Sequence, residues 1–418
     1  MGFQGEEIVC GLLPLNRISS DYCQSAIPLA HEKNFLLSSV SFYVVFSAIP
    51  QVHGKDLANY MSGINWVAGA PKGLKANDVE FENKYLPLVD KTLKENKYLS
   101  GIYIEIPWNA VEPEEQKFDL GRVDKIVELA RKNRKFYKLN LIPGQHTPSF
   151  VLQNGAQAIN TSIVNPHRPN YGQKVQIPVP WDKTYQKYFY RALSQISNRY
   201  KDDKQFIAIS MTIACYMGPE WHLPQTEEDR VQWKKYDPNY MERIKETWCA
   251  AIDQFAELFP NQQLCLEASG DPLGGRKEGN EIIHYGATKF PNRFTIQTDQ
   301  LNGRHENSGH FAFDRVVKYK DRIHHGFQDL AGWQGSGERQ GSMEMTAYNF
   351  IVADSEFLEI LLGDGSNMKT TEKLYGILNQ AKELGVVKYK EKLIQDGKFR
   401  LREDDHYDPK KAANQNHL

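Results

Sequence analysis

The chain has 418 residues, 40% of them hydrophobic and 11% aromatic, and its 51 basic and 52 acidic residues leave a formal charge of −1. This length is sufficient for a large buried core, and the balanced charge excludes the global basic field that attracts nucleic acid. No stretch has the roughly 18 consecutive apolar residues that a membrane-crossing helix needs. The first residues do not resemble a secretory signal, and the few scattered cysteines are typical of reduced thiols. We therefore expect a cytoplasmic globular protein without nucleic-acid or membrane partners.

Strand-like and helix-like segments alternate along the chain. The predicted strands are 41–47, 101–106, 137–142, 206–213, 263–268, 293–298, 323–328 and 357–362. The predicted helices are 83–95, 120–132, 181–200, 239–258, 281–289, 342–352 and 371–384. Repeated strand–helix units of this number close a (β/α)8 TIM barrel, and no Gly-x-Gly-x-x-Gly turn follows the first strand to indicate a dinucleotide-binding fold.

This pattern also predicts the domain organisation. We expect an N-terminal extension (1–35) packed on the barrel, a barrel with long βα loops (36–399) and a polar C-terminal tail (400–418). Catalytic groups of such barrels lie where the strands end. Polar residues at or near the predicted strand ends are therefore of interest, and they are His146, Glu267, Gln297, Asp299 and Gln328. Glu105 lies in mid-strand instead, so we expect it to pair with a base inside the barrel.

Residues 101–119, GIYIEIPWNAVEPEEQKFD, combine a β-branched strand, a Trp-Asn pair and a Glu-Pro turn before the next helix. This segment resembles the second βα unit of the retaining (β/α)8 glycoside hydrolases of clan A. The resemblance extends over residues 36–385 as architecture. It implies hydrolysis of an O-glycosidic bond in a glycoside or oligosaccharide, by two carboxyl groups and without a cofactor.

Glu220 is the leading candidate for the acid/base carboxyl. It follows the fourth predicted strand, between Pro219 and Trp221, and apolar surroundings raise a carboxyl pKa as a general acid requires. The resemblance implies the same assignment, because the acid/base of the clan lies at the end of strand four. The chain departs from the clan in lacking the Asn that usually precedes this Glu.

The second carboxyl has several candidates. The resemblance places a nucleophile at the end of strand seven, where this chain has Gln328, and an amide cannot serve as a nucleophile. The strand-seven and strand-eight region offers Asp329, whose side-chain parity is wrong, Glu338 in a predicted loop, and Glu359 in mid-strand. Glu267 and Asp299 remain further options. The alternative is a non-catalytic carbohydrate-binding barrel with Gln328 at the nucleophile position.

Aromatic and polar side chains near the strand ends are expected to bind the sugar. Indole rings stack on the apolar faces of a pyranose, while amides and imidazoles bond its hydroxyls. The expected substrate-binding residues are Trp108, Asn109, Gln145, His146, Trp221, His222, Asp299, Gln328 and Trp333.

Other kinds of site have less support in the sequence. His324 and His325 are adjacent in a strand, so their side chains face opposite sides and cannot share one metal ion. The loop containing His305 and His310 offers ligands without a recognisable spacing. A phosphate loop after strand eight would be 363–367, whose Asp opposes an anion. We therefore predict no metal and no cofactor.

Overall fold

The computed structural model describes residues 62–75, 77–164, 170–273 and 275–402. Eight parallel strands form a closed barrel in the order β1-β10-β9-β8-β7-β6-β3-β2, which confirms the predicted (β/α)8 fold. The barrel strands are β1 Ile64–Val67, β2 Leu99–Pro107, β3 Phe136–Ile142, β6 Phe206–Ser210, β7 Gln263–Glu267, β8 Phe294–Leu301, β9 His324–Asp329 and β10 Phe357–Ile360. Strands β4 (Ala158–Ser162) and β5 (Lys174–Pro178) form a separate antiparallel hairpin between β3 and the following helix.

Helices cover the outside of the barrel and extend the loops at its mouth. The α-helices are Ala70–Lys75, Asp78–Glu80, Leu86–Glu95, Trp108–Val111, Gly121–Lys132, Ser149–Gln153, Lys183–Tyr200, Glu227–Tyr236, Tyr240–Leu258, Arg276–Lys289, Phe311–Val317, Trp333–Gln340, Met343–Val352, Leu362–Ser366 and Met368–Gln395, with a π-helix at Phe81–Tyr85 and a 3-10 turn at Gly144–His146. No helix in the described part of the chain is long and apolar enough to cross a membrane.

The first barrel strand was predicted wrongly. Ile64–Val67 pairs with β2 on one side and β10 on the other, so it occupies the place expected for 41–47. This strand has only four residues, too few to establish an alternating pattern in the sequence. Residues 41–47, the expected N-terminal extension (1–35) and most of the expected tail (400–418) lie outside the described residues.

Helix Lys183–Tyr200 shows why the longer elements could be predicted from the sequence. Asp182 precedes Lys183–Tyr200, and its side chain accepts a hydrogen bond from the backbone N–H of Tyr185 at 2.8 Å. Tyr185, Phe189 and Ile196 recur at helical spacing and are buried against the barrel. A cap and an apolar stripe are both local signals, and the predicted bounds differ from the observed ones by only a few residues.

Helix Trp333–Gln340 was missed because its cap comes from elsewhere in the chain. The carboxylate of Asp364, after β10, accepts the backbone N–H groups of Trp333 at 2.7 Å and Gln334 at 3.2 Å. These are N–H groups that a helix start leaves without an internal partner. The glycine-rich segment was expected to be a loop, and this distant cap allows it to form a helix.

A charged network fills the barrel interior. Lys138 of β3 is fully buried, and its Nζ lies 2.8 Å from Glu359 and 3.4 Å from Glu267. It also donates to Gln297 at 3.1 Å and lies 3.7 Å from the centre of the Tyr103 ring. Burial by itself lowers the pKa of Lys138, but the neighbouring acidic groups, Glu359 foremost, raise it overall. The ammonium therefore balances two buried carboxylates.

Candidate active site

Glu220 is held in the loop after β6 by its neighbour Trp221. The Trp221 backbone N–H donates to Glu267 O at 3.2 Å, which ties the loop to the end of β7. The Trp221 ring is fully buried, packs edge-on against Trp248 at 6.2 Å and donates to Gly270 O at 3.2 Å. Glu220 is therefore anchored at the C-terminal end of the barrel, with only 8% of its surface exposed.

Gly218 makes room for the Glu220 carboxyl. A Cβ atom at position 218 would lie 2.5 Å from Glu220 Oε2, closer than such contacts allow. The side chain of Glu220 thus folds back over the backbone two residues earlier. This close approach explains a glycine at 218 without any requirement for an unusual backbone angle.

Asp299, from β8, forms a carboxyl pair with Glu220. Its backbone N–H donates to Ser269 Oγ at 2.7 Å, which fixes the end of the strand. Burial, the Glu220 charge and a hydrogen bond to Glu220 raise the pKa of Asp299 to about 7, while Ser269 and His222 oppose this shift. The pair therefore holds one proton up to near-neutral pH.

Each member of this pair has one side-chain oxygen that is fully buried. Glu220 Oε2 and Asp299 Oδ1 are buried and have no hydrogen-bond donor among the described residues. Two ionised carboxylates in contact would repel each other, whereas one shared proton satisfies both buried oxygens. We refer to Glu220 and Asp299 as the carboxyl dyad.

Glu267 ends β7, the barrel strand between β6 and β8. Its carboxylate accepts hydrogen bonds from Tyr103 at 2.6 Å and from Ser210, and its Oε2 has no donor among the described residues. Burial raises its pKa, and Lys138 counteracts part of that shift. The buried thiol of Cys215 experiences the charges of both Glu220 and Glu267, so the two carboxyls flank one region of the barrel mouth.

Gln328 faces the barrel interior, as its predicted parity requires. Phe327 stacks on Phe313 of the outer helices at 5.4 Å, so the alternating neighbour Gln328 lies on the opposite side of β9. It pairs in register with Glu359 of β10, and its Oε1 is buried without a donor among the described residues. An amide therefore occupies the strand-seven position where the resemblance implies a nucleophile.

The three candidates from the strand-seven and strand-eight region have different surroundings. Glu338 is exposed in the Trp333–Gln340 helix, not in a flexible loop. Glu359 is committed to Lys138 and accepts a hydrogen bond from Gln297 at 3.0 Å. Asp329 shares the outward parity of Phe327, and burial together with the Asp364 charge raises its pKa well above the usual range. The carboxyl dyad has other charged neighbours, because the charges that shift the pKa of Asp299 come from Glu220 and His222.

Two of the tryptophans that were expected to stack on the sugar lie inside the protein. Trp108 and Trp221 are fully buried, which corrects the expectation that their faces stack on a sugar. Trp108 packs edge-on against Phe189 at 5.5 Å and donates to Glu112 Oε2 at 2.8 Å. Glu112 also forms an ion pair with Arg191. The Trp and the Glu-Pro turn of residues 101–119 therefore stabilise the packing of this loop on helix Lys183–Tyr200.

Three further residues expected to bind the substrate, Gln145, His146 and His222, lie in the loops at the mouth of the barrel. Gln145 donates to Met217 O at 3.2 Å, and His146 lies 2.9 Å from the Lys75 amine. His222 meets the ring of Tyr216 edge-on at 6.5 Å and acts on the Asp299 pKa. These contacts connect the loops after β3 and β6 on the side where the dyad lies.

Several buried polar atoms at the mouth have no partner among the described residues. Outside the dyad, they are Asn109 Oδ1, Thr147 Oγ1, Gln328 Oε1 and Trp333 Nε1. All lie at or after the ends of barrel strands, namely β2, β3 and β9. Buried polar groups are normally paired, so such a set is what a ligand rich in hydroxyls would satisfy. Thr147 was not predicted, because a single Thr in a loop carries no sequence signal.

Known proteins resemble this chain in sequence over its middle and in fold over most of its length. The model of glycoside hydrolase family 42, described as beta-galactosidase, matches residues 95–260. No curated protein matches the chain. The described residues contain no cluster of three or more His, Cys, Asp or Glu side chains able to hold a metal ion.

The solved structures to which the chain is similar include those of sugar-processing enzymes. The beta-galactosidase of the psychrophilic Marinomonas ef1 has 9% identity and a TM-score of 0.50, covering 78% of this chain and 61% of that one. The cold-adapted beta-galactosidase of Rahnella sp. R3 has 10% identity and a TM-score of 0.49, with 78% and 57% covered. A trimodular endoglucanase has 14% identity and a TM-score of 0.47, with 79% and 61% covered.

The chain thus spans about three fifths of the length of these structures. At 9% identity the likeness to the Marinomonas enzyme shows a shared barrel fold. Together with the family model over residues 95–260, it confirms the resemblance to (β/α)8 glycoside hydrolases that the sequence predicted.

Proposed function

We propose that the chain is a glycoside hydrolase that cleaves an O-glycosidic bond with the Glu220–Asp299 dyad as its proton donor. The dyad carries this proposal, because it holds one proton near neutrality at the end of the barrel where such enzymes act. The glycoside hydrolase family model supports the same class of reaction. Unpaired polar atoms around the mouth suit a hydroxyl-rich substrate.

In this mechanism the protonated member of the dyad donates to the leaving glycosidic oxygen. The member that remains ionised stabilises the positive charge of the oxocarbenium-like transition state. His222, next to the dyad, favours the ionised form of Asp299 and so assists the release of its proton.

Glu267 is the best-placed second carboxylate for attack or for activation of water. Glu267 lies at the end of a strand, and both Glu267 and Glu220 act on the buried Cys215 thiol. Burial raises the pKa of Glu267, while Lys138, Ser210 and Tyr103 favour its ionised form. Glu359 is held by Lys138 and Glu338 is exposed, so neither has comparable support. This assignment differs from the sequence prediction, which took the second carboxylate from the strand-seven or strand-eight region.

The test is hydrolysis of aryl and alkyl glycosides, beginning with galactosides, by the wild type and by Glu220→Gln. We expect kcat/KM of the variant to fall by roughly 10²–10⁴ on alkyl galactosides, the typical contribution of general acid–base catalysis. The fall should be smaller on dinitrophenyl galactoside, whose leaving group needs little protonation. Glu228→Gln, an exposed change in the next helix, should match the wild type.

Equal activity of Glu220→Gln and the wild type on every glycoside would refute the acid role. Glu267→Gln and Glu359→Gln should separate the second carboxylate from the interior network. We expect Glu267→Gln to lose activity on both kinds of leaving group, because attack on the sugar is needed in each case.

A non-catalytic carbohydrate-binding barrel is the second candidate, and Gln328 favours it. The Gln328 Oε1 atom is buried and unpaired among the described residues, where the resemblance implies a nucleophile. If this candidate is correct, calorimetry should detect saturable binding of galactosides with no turnover. Gln328→Leu should weaken that binding about tenfold, while Glu220→Gln should leave it largely unchanged.

A further inference from the structure

A cavity of about 570 Å³ lies among the outer helices of the barrel. Helices Tyr240–Leu258 and Arg276–Lys289 and the segment 318–322 form its walls. This volume falls within the range of roughly 300–1,000 Å³ that is usual for small-molecule sites. The proposed glycosidase does not use this cavity.

Two cations on one wall of the cavity have no acidic partner. Lys318 and Arg322 are exposed, and neither forms an ion pair within the described ranges. Both lie beside the ring of Tyr319, with the Lys318 Nζ at 5.7 Å and the Arg322 guanidinium carbon at 5.9 Å from its centre. Their positive charges are therefore available to a ligand.

The opposite wall is already neutralised. Lys245 Nζ lies 2.6 Å from Glu242 Oε1 and 3.0 Å from Glu281 Oε2. Glu281 also lies 4.0 Å from the Lys277 amine. The unbalanced charge of the cavity is thus concentrated at Lys318 and Arg322.

The interior between these walls offers a surface for an aromatic group. Tyr285 is half-buried, and its hydroxyl donates to Asp253 at 2.8 Å. Cys249 is half-buried, and burial raises the pKa of its thiol to about 11, so it is uncharged at neutral pH. The Tyr285 ring and a neutral thiol are apolar neighbours for a flat ring.

We propose that this cavity binds an aromatic anion, with the ring against Tyr285 and Cys249 and the acid group at Lys318 and Arg322. A sulfonate, carboxylate or phosphate attached to a ring has the required chemistry. The two cations attract the acid group, and the Tyr285 ring offers an apolar contact to the ligand ring. The site is separate from the dyad, so its occupancy can be measured without any glycoside.

The experiment is a fluorescence titration of the full chain with 8-anilinonaphthalene-1-sulfonate, an aromatic sulfonate that brightens in apolar surroundings. We expect saturable binding by the wild type and at least tenfold weaker binding by Lys318→Gln/Arg322→Gln. The control Lys91→Gln/Lys94→Gln makes the same charge change on two exposed lysines of another helix and should bind like the wild type. Equal loss in both double variants, or no saturable binding, would overturn the proposal.

A second variant tests the location independently of charge. Cys249→Trp introduces a large ring into the cavity and should abolish binding, with circular dichroism and thermal midpoint recorded to verify the fold. Benzenesulfonate should displace the probe, whereas sulfate at equal ionic strength should not. Equal displacement by sulfate would contradict an aromatic ligand, and unchanged binding by a folded Cys249→Trp would contradict this cavity.

Discussion

At the scale of single residues, buried carboxyl groups of this barrel differ in the charged groups that lie next to them. Glu359 lies 2.8 Å from the Lys138 amine, whereas Asp299 meets another carboxyl, and the pKa of Asp299 rises to about 7. Both are acidic residues in neighbouring regions of one barrel. The difference arises from the partner that the fold supplies, because a cation favours the charged form and a carboxylate disfavours it.

The pKa of Asp299 predicts how stability depends on pH. The folded protein retains the Asp299 proton up to about pH 7, whereas an unfolded aspartate loses it near pH 4. The native state binds more protons in this window, so its stability falls as pH rises from about 4 to 7. Asp299→Asn removes this penalty, and we expect it to gain about 1–3 kcal/mol relative to the wild type between pH 4 and pH 8.

Urea denaturation at several pH values measures this gain. Asp321→Asn, an exposed control, should follow the wild type at every pH. A difference between Asp299→Asn and the wild type that does not change with pH would contradict a shared proton in the dyad.

At the scale of elements, helices at the mouth depend on groups that other strands supply. Helix Trp333–Gln340 begins on the carboxylate of Asp364, and the loop carrying Glu220 is tied to the end of β7 through the Trp221 N–H. Gly332 lies close to Asp364, since a Cβ there would be 3.0 Å from its Oδ2. The order of these segments therefore depends on closure of the barrel.

Asp364→Ala should release the start of the Trp333–Gln340 helix. Loss of a helix cap typically costs about 0.5–2 kcal/mol, and we expect a loss of stability in that range. Hydrogen exchange should become faster at the Trp333 and Gln334 amides, which the carboxylate now binds. Asp364→Asn should recover part of the protection, because an amide oxygen still accepts. Unchanged exchange at both amides in Asp364→Ala would contradict this cap.

At the scale of the whole molecule, the barrel is closed around a charged interior. Lys138 of β3 reaches Glu267 of β7 and Glu359 of β10, so one side chain connects strands on different sides of the barrel. Buried ion pairs contribute little compared with apolar packing, but removing one partner leaves an uncompensated buried charge. The network therefore makes the barrel sensitive to single changes at its centre.

Lys138→Met tests this sensitivity. Two buried carboxylates lose their cation, and we expect a loss of about 3–5 kcal/mol in the free energy of unfolding. Adding Glu359→Gln should restore part of that loss, because the second change removes one unpaired charge. Lys91→Met, on an exposed helix, should have little effect. A loss below about 1 kcal/mol for Lys138→Met would contradict a structural role for this network.

Local patterns in the chain were sufficient for most of the architecture. Alternation within strands and apolar stripes such as Tyr185, Phe189 and Ile196 predicted seven of the eight barrel strands and the long helices. These signals are local, because a strand or helix shows in its own residues which face is buried. Ile64–Val67 was missed because four residues are too few for such a signal.

The meeting of Glu220 with Asp299, the full burial of Trp108 and Trp221, and the cap on Trp333–Gln340 were decided only by the tertiary structure. Each depends on segments far apart in the chain that come together when eight strands close into a barrel. A carboxyl pKa and the exposure of an indole are properties of surroundings. Those surroundings form at strand ends, where residues contributed by different units meet.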